Sequence, residues 1–463
     1  LVQPRDYATY SYWLESSGDD LTPRPALDGS TDVDVAILGA GYSGLWTAYY
    51  LLRHDPSLKV AIAEKHIAGF GASGRNGGWC SAGFPIGIAE LARRYGDDRA
   101  VELQRAMIDA VDEVGLVAEE EGIDADYEKG GALRFARGKH QLPALESALE
   151  TYRRFGLDDH YQLLSESDAK ARVNVAGSLG AVFTPNCATI HPGKLARGLA
   201  RTVERLGATI YEQTEVTSFT EGSSPALHTA RGDIRARVIV LAGESYLSQL
   251  EQVDRQLIPI YSLIVLTRPL SDEQWAEIGW RGRECVSSNR LTVDYLSRTT
   301  DGRILFGGRG APYHYGSKIA DEYDRHDATH RMLREAAMEW FPSLAPDDFS
   351  HAWGGPLGVP RDWMPTMSFD RSSGVATARG YTGQGVSTTN LSGRVLADLL
   401  LDRSSDLTDL PPAGHVSPDW EREPARYLGV RYVQRTYAKL DEKAARTGVP
   451  PDGTSIGERL SRH

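Results

Sequence analysis

Residues 32–44 read Asp-Val-Asp-Val-Ala-Ile-Leu-Gly-Ala-Gly-Tyr-Ser-Gly, and the rest of the chain is organised around this stretch. A short apolar run, Val33 to Leu38, leads straight into Gly39-Ala40-Gly41-Tyr42-Ser43-Gly44. An amphipathic segment follows, with Leu45, Trp46, Ala48, Tyr49, Leu51 and Leu52. The pattern predicts strand, glycine turn and helix. A second apolar run, Val60 to Ala63, ends at Glu64, placing a carboxylate at the tip of the next strand. A dinucleotide asks for this arrangement. The first glycine makes a tight turn, the second lets backbone approach a pyrophosphate, and the third lets helix pack close to strand. The helix N-terminus offers free N–H groups and the positive end of its dipole to the phosphates. Glu64 accepts from ribose hydroxyls and disfavours a 2′-phosphate, hence NADP.

A chain of 463 residues is too long for one simple core, so two or more domains are expected. Hydrophobic residues at 41% and charged residues at 25% suit a water-soluble globular protein. A net charge of −12 argues against nucleic acid or an anionic membrane surface as the main partner. No run approaches the ~20 apolar residues that span a bilayer, and no secretory leader is recognisable at the N-terminus. Cys80, Cys187 and Cys285 fit neither a disulfide framework nor a metal-ligand pattern, so a reducing, cytoplasmic setting and no metal are expected.

Residues 1–31 read as an extended arm whose rings (Tyr7, Tyr10, Tyr12, Trp13) staple it to the body; the sharper alternative has Tyr12 or Trp13 walling a substrate pocket. After Glu64 comes the glycine-dense Gly69-Phe70-Gly71-Ala72-Ser73-Gly74-Arg75-Asn76-Gly77-Gly78-Trp79. So much glycine suits neither a stable helix nor a central strand, and fits backbone that approaches a flat or charged ligand. Ala100, Leu103, Met107, Val111, Val114 and Val117 keep helical spacing. His191, just before Pro192, reads as a cap or packing residue rather than a base. Strand-like segments then follow without regular helices between them, which predicts an antiparallel sheet distinct from the parallel one. Trp353-Gly354-Gly355-Pro356 reads as a loop. Val375–Ala378 leads into Gly380-Tyr381-Thr382-Gly383-Gln384-Gly385-Val386-Ser387-Thr388 and a helix, a second glycine turn with a helix N-terminus behind it. A last helix is predicted over about 427–445, with Leu428, Val430, Val433, Tyr437 and Leu440 laid on the body.

The GAGYSG turn with Glu64, then GASGRNGG, then GYTGQGVSTTNLSGRVLADLL resemble the D-amino-acid-oxidase-like FAD-dependent oxidoreductases, which include glycine and sarcosine oxidases. GASGRNGG and GYSGLWTAYYL look most like the γ-glutamylputrescine-oxidase-like branch. The resemblance implies an α/β plus α+β fold, with a glutathione-reductase-type Rossmann domain and a mixed, largely antiparallel substrate domain. The expected division is an arm at 1–31, a discontinuous FAD-binding domain at 32–125, 180–250 and 345–403, a substrate domain at 126–179 and 251–344, and a helical tail at 404–463. It implies that Gly39, Ala40, Gly41, Ser43 and Gly44 hold the FAD pyrophosphate and Glu64 the adenosine ribose, with Lys65 and Val216 beside adenine. Gly71, Ala72, Ser73, Arg75, Asn76, Gly77 and Gly78 would line the flavin, with Trp79 near its ring. Gly243 resembles the glycine after a late Rossmann strand. Gly383, Gly385, Val386, Ser387 and Thr388 would set N–H groups against the flavin pyrimidine, favouring negative charge on the reduced ring. The glycine loops carry neither His nor Cys, so FAD is expected to be non-covalent, with Cys80 the nearest residue that leaves the point open.

Only one full GxGxxG is present, so the organic substrate is expected to reduce the flavin directly. The implied reaction is hydride transfer from a carbon next to nitrogen to flavin N5, hydrolysis of the imine, and reoxidation by dioxygen with release of hydrogen peroxide. The alternative is a flavin dehydrogenase of a hydroxy acid or another C–H donor that passes electrons to a carrier. Candidates around the substrate are Trp79, Tyr261, Arg309, His314, Tyr315 and Trp353. Arg309 or Arg361 would clamp an anionic group bidentately; a structural ion pair or a phosphate contact is the competing reading for each.

Overall fold

In the computed structural model, which describes residues 5–461, the opening stretch folds as strand Val35–Leu38, a turn through Gly39 and helix Tyr42–His54. The strand lies inside a six-stranded sheet ordered 366–370, 375–379, 238–241, 35–38, 60–63, 209–211. Every pairing in it is parallel except that of the 366–370 edge. These strands read as near-continuous Val/Ala/Ile/Leu because helices cover parallel sheets on both faces. From 35–38 the chain moves outward to 60–63 and later returns on the other side at 238–241. The crevice beyond the carboxyl ends there is a topological switch point, where open α/β sheets bind ligands.

Two helices must sit close together over this crevice. A Cβ at Gly44 would lie 2.0 Å from the Gly39 carbonyl oxygen, so only glycine lets helix Tyr42–His54 rest on the turn. A Cβ at Gly393 would lie 2.7 Å from the carbonyl carbon of Trp46, so helix Gly385–Leu400 also packs backbone to backbone. Trp46, fully buried, fills the seam.

The second sheet has eight strands, ordered 349–359, 258–267, 304–309, 294–298, 285–288, 132–137, 178–184, 162–164. Its one parallel pairing joins Cys285–Ser288 to Ala132–Arg137, so it is largely antiparallel, as the strand run without helices predicts. Phe306, Trp340, Phe341 and Leu263 form its core, partly under helix Asp327–Trp340.

Several expectations change. Trp353-Gly354-Gly355-Pro356 is strand, not loop: Phe349–Val359 runs along 258–267, with Pro356 opposite Tyr261. The strand is at the sheet edge, where proline is tolerated. A Cβ at Gly354 would lie 2.0 Å from the Leu263 side chain, so its glycine answers to packing. The domain limits expected at 180 and 345 shift with it, because Ser178–Thr184 and Phe349–Val359 belong to the eight-stranded sheet. The arm is compact where described: short helices at Tyr7–Tyr10 and Tyr12–Glu15 bury Tyr7, Tyr12 and Trp13. The predicted C-terminal helix runs Ala425–Thr447, and a further short helix follows at Ile456–Ser461; Val430 is buried on the body, whereas Leu428 is 63% exposed. Residues 1–4 of the arm and 462–463 of the tail lie outside the described residues. None of the described helices is long and apolar enough to cross a membrane.

Candidate active site

One cavity of about 1080 Å³ runs from the switch point to the eight-stranded sheet, and all three glycine stretches meet on it. Gly39 turns with φ +102, and a Cβ there would lie 2.8 Å from Ala242 O. The helix begins at Tyr42, and its N-cap residue, Gly41, has no side chain to cap it. Ser73 from the second glycine stretch instead accepts from Tyr42 N at 2.8 Å, fastening the two loops together. Helix Gly385–Leu400 opens on the same cavity after Gln384, again without a side-chain cap among the described residues. Two helix N-termini therefore present donors to one space, the arrangement that phosphate and anionic ring edges require.

Glu64 is half-buried at the switch-point end of the cavity. Its carboxylate accepts from Ala40 N at 2.9 Å and His66 N at 2.8 Å, and burial pushes its pKa up to about 7. Lys65 pairs with Glu215 at 2.7 Å, and both line the cavity beside Val216. Gly41, Ser43, Gly71, Ala72, Ser73, Arg75, Asn76, Gly77, Trp79, Gly243, Gly383, Gly385 and Val386 also line it. Ala40, Gly44, Gly78, Ser387 and Thr388 stand behind that lining: Ala40 N is spent on Glu64, Thr388 Oγ1 donates to Gln384 O, and Ser387 Oγ to Ser81 O. Arg75 is buried and donates to Asp324, to Tyr246 OH and to Gly354 O, bracing the glycine stretch against the eight-stranded sheet.

These features suit FAD: two helix N-termini for the pyrophosphate and flavin, a carboxylate for the ribose, and a turn at Gly39 that leaves no room for a Cβ. The comparisons with known proteins agree. The model of the FAD dependent oxidoreductase family (DAO) matches residues 34–399. The chain belongs to this family. It is 28% identical over 432 residues to gamma-glutamylputrescine oxidoreductase of Escherichia coli, covering 92% of this chain and 97% of the relative. It is 31% identical over 399 residues to a probable oxidoreductase, OrdL, of Rhizobium meliloti, covering 85% and 89%. Among solved structures, glycine oxidase from Geobacillus kaustophilus superposes with a TM-score of 0.69 at 21% identity, over 83% of this chain and 98% of that one. The fold is thus that of the family's flavoenzymes, FAD is the cofactor, and the chain is an oxidoreductase.

Of the six substrate-side candidates, Trp79 and Arg309 line the cavity. Arg309 ends strand Ile304–Arg309; its Nη2 donates to Thr382 O at 3.1 Å, directly over the last glycine turn. Among the described residues no carboxylate pairs with it, and burial lowers its pKa. Trp79 donates from its indole to Leu296 O at 3.0 Å. The other four stand off the cavity. Tyr261 is buried with its OH accepting from Ala320 N. His314 stacks on Tyr323 with centroids 3.4 Å apart, and Tyr315 is exposed against Tyr427. Trp353 packs by Trp13 and donates to Arg75 O. Arg361 pairs with Glu421 at 3.1 Å, the structural reading. His191 caps helix Pro192–Arg205, accepting from Lys194 N, and burial lowers its pKa to about 4. Trp13 donates to Asn76 O, so the arm braces the glycine stretch from behind rather than walling the pocket.

Sequence reasoning missed Tyr295, Ser262 and Glu244. Tyr295 OH and Ser262 Oγ are 2.8 Å apart beside Arg309. Two glycines make room for the Tyr295 ring: a Cβ would lie 2.5 Å from it at Gly77 and 2.1 Å at Gly307. An aromatic paired in register with glycine was the readable sign. Glu244 follows the RVIVLAG strand and accepts from Gly358 N at 3.0 Å and Gly380 N at 2.8 Å, joining the two sheets; burial pushes its pKa up to about 7. A carboxylate straight after a buried strand was its sign.

Proposed function

We propose that the protein is an FAD-dependent oxidase of an amine or amino acid that carries an anionic group, and that Arg309 holds that group. The observation behind this is a guanidinium with no carboxylate partner among the described residues, standing over the last glycine turn inside the cofactor cavity. FAD, when bound, would supply the electron sink for hydride from the carbon next to nitrogen, with dioxygen as the acceptor and hydrogen peroxide as product. Arg309 orients the substrate by a charge-assisted, bidentate contact. Trp79, Tyr295 and Leu357 exclude water around it. Helix Gly385–Leu400, whose N-terminus opens on the cavity, would offer its positive end to the ring. None of Trp79, Ser262, Tyr295 and Leu357 is a carboxylate or imidazole, and burial holds the Tyr295 phenol at about 12. The substrate amine therefore has to arrive neutral, having shed its proton to solvent, and water then hydrolyses the imine. Non-covalent binding fits the same geometry: Cys80 is buried and does not line the cavity. The relatives' names, a gamma-glutamylputrescine oxidoreductase and a glycine oxidase, support an amine or amino-acid donor.

The test is a panel of amines, amino acids and hydroxy acids with a peroxide assay in air. Peroxide formed from an amine or amino acid bears the proposal out. Turnover of a hydroxy acid alone, or turnover only with an artificial carrier and no peroxide, overturns it.

A further inference from the structure

We infer that the C-terminal segment from Asp441 to Glu458 is the far wall of the substrate chamber and sets the length of substrate admitted; this rests on the oxidase reading above. The family match ends at residue 399, yet Asp441, Ala444, the turn 450–453 and Glu458 all line the same cavity as Arg309. The span between them follows from the sheet. Arg309 pairs in register with Ser262 and Arg134 with Ser287, and all four line the cavity. Three strand-to-strand steps separate the strand of Arg309 from that of Arg134, so the chamber floor is about 14 Å wide at ~4.8 Å per step. A substrate the size of glycine uses only the end beside Arg309. The far end is bounded by loop and tail.

That end is built rather than incidental. The Asp441 carboxylate accepts from Leu291 N at 3.0 Å, Thr292 N at 2.9 Å and Thr292 Oγ1 at 2.6 Å, and its side chain is only 9% exposed. Arg290 Nε stands 3.7 Å from it. One carboxylate thus clasps the loop joining strands Cys285–Ser288 and Asp294–Arg298 to helix Ala425–Thr447. Glu458 is held in turn by Ser455, accepting from its N–H and hydroxyl. Ala444, one helical turn beyond Asp441, is buried and meets the cavity with a single methyl group, so bulk added there shortens the chamber.

The experiment uses full-length holoenzyme and straight-chain ω-amino acids from glycine to aminooctanoate, with binding read from the flavin spectrum. Ala444→Phe is expected to weaken the longest members about tenfold while glycine stays within about twofold and flavin content is unchanged. Equal weakening across the series, or unchanged binding of the long members, overturns the wall. Should the added ring prevent folding, Asp441→Asn decides the matter: the longest probes shift about threefold or more and glycine does not, whereas a uniform shift overturns it. If no probe perturbs the flavin of the unaltered protein, the substrate reading fails separately. The wall is then judged by iodide quenching of flavin fluorescence, expected to rise in Asp441→Ala; unchanged quenching overturns it.

Discussion

Replacing Gly44 with alanine tests the geometry on which cofactor binding depends. The new methyl carbon would lie 2.0 Å from the Gly39 carbonyl oxygen. Carbon and oxygen approach to about 3.3 Å at the closest favourable contact, so helix Tyr42–His54 has to lift off its turn by more than about 1 Å. The obstacle is backbone and cannot rotate away, which puts the cost near the upper end of about 1–3 kcal/mol for overpacking. The same movement stretches every hydrogen bond from the helix N-terminus to a phosphate by about 1 Å, beyond bonding distance. Losing even two charge-assisted bonds of about 1.5 kcal/mol lowers FAD affinity at least a hundredfold or so. The assay is flavin content after purification, an FAD titration of the apoprotein, and urea unfolding. Gly429→Ala is the control, because a Cβ there meets nothing within 4 Å. Gly44→Ala protein that binds FAD within about threefold of the unaltered chain, with unfolding unchanged within about 0.5 kcal/mol, would refute the reasoning.

Arg309→Met is expected to lower kcat/KM for an anionic amine by about 30-fold or more, the cost of about 2 kcal/mol or above for a lost charge-assisted pair. Flavin content should hold, since the guanidinium bonds only Thr382 O among the described residues; the measurement is steady-state kinetics beside an absorbance ratio. Glu64 and Glu244 both have pKa values raised by burial to about 7. A carboxyl raised in the folded state binds its proton more tightly there than unfolded. The apoprotein should therefore be most stable below about pH 4.5 with respect to these groups and lose stability as pH rises towards 7. Glu244→Gln is expected to flatten that fall by about 1.4 kcal/mol per pH unit in denaturant titrations; an unchanged slope contradicts the assignment. Because no carboxylate pairs with Arg309 among the described residues and the neighbouring Trp79, Ser262 and Tyr295 offer no base, kcat/KM should climb with pH until the substrate's own amine is neutral, so its inflection should move when an amine of different pKa is used.

The nucleotide half was readable because each of its demands falls on single letters. Gly39, Gly41 and Gly44 are adjacent in sequence and in space, and Glu64 is one strand away. The substrate half depends on what crosses the sheet. Tyr261 and His314 look like pocket residues along the chain, but the register sends Tyr261 inward against Ala320 and stacks His314 on Tyr323. Tyr295 is the residue that register brings over Gly77 and Gly307. Within strand Phe349–Val359, the stretch 353–356 reads as a loop because Gly354, Gly355 and Pro356 carry turn chemistry. Only the partner strand explains them, since Leu263 needs the space at Gly354. Asp441 gives no local sign of its role in a polar helix; its bonds to Leu291 and Thr292 join residues about 150 positions apart.

The central claim is that an amine or amino acid gives its electrons directly to FAD held in this cavity. Anaerobic mixing of the purified holoenzyme with single amines, amino acids and hydroxy acids tests it most directly, with the visible band of oxidised flavin as the readout. The account predicts bleaching by an amine or amino acid and, on admitting air, return of the band with release of hydrogen peroxide. Bleaching by hydroxy acids alone, or a protein that neither carries FAD nor takes it up, would contradict it.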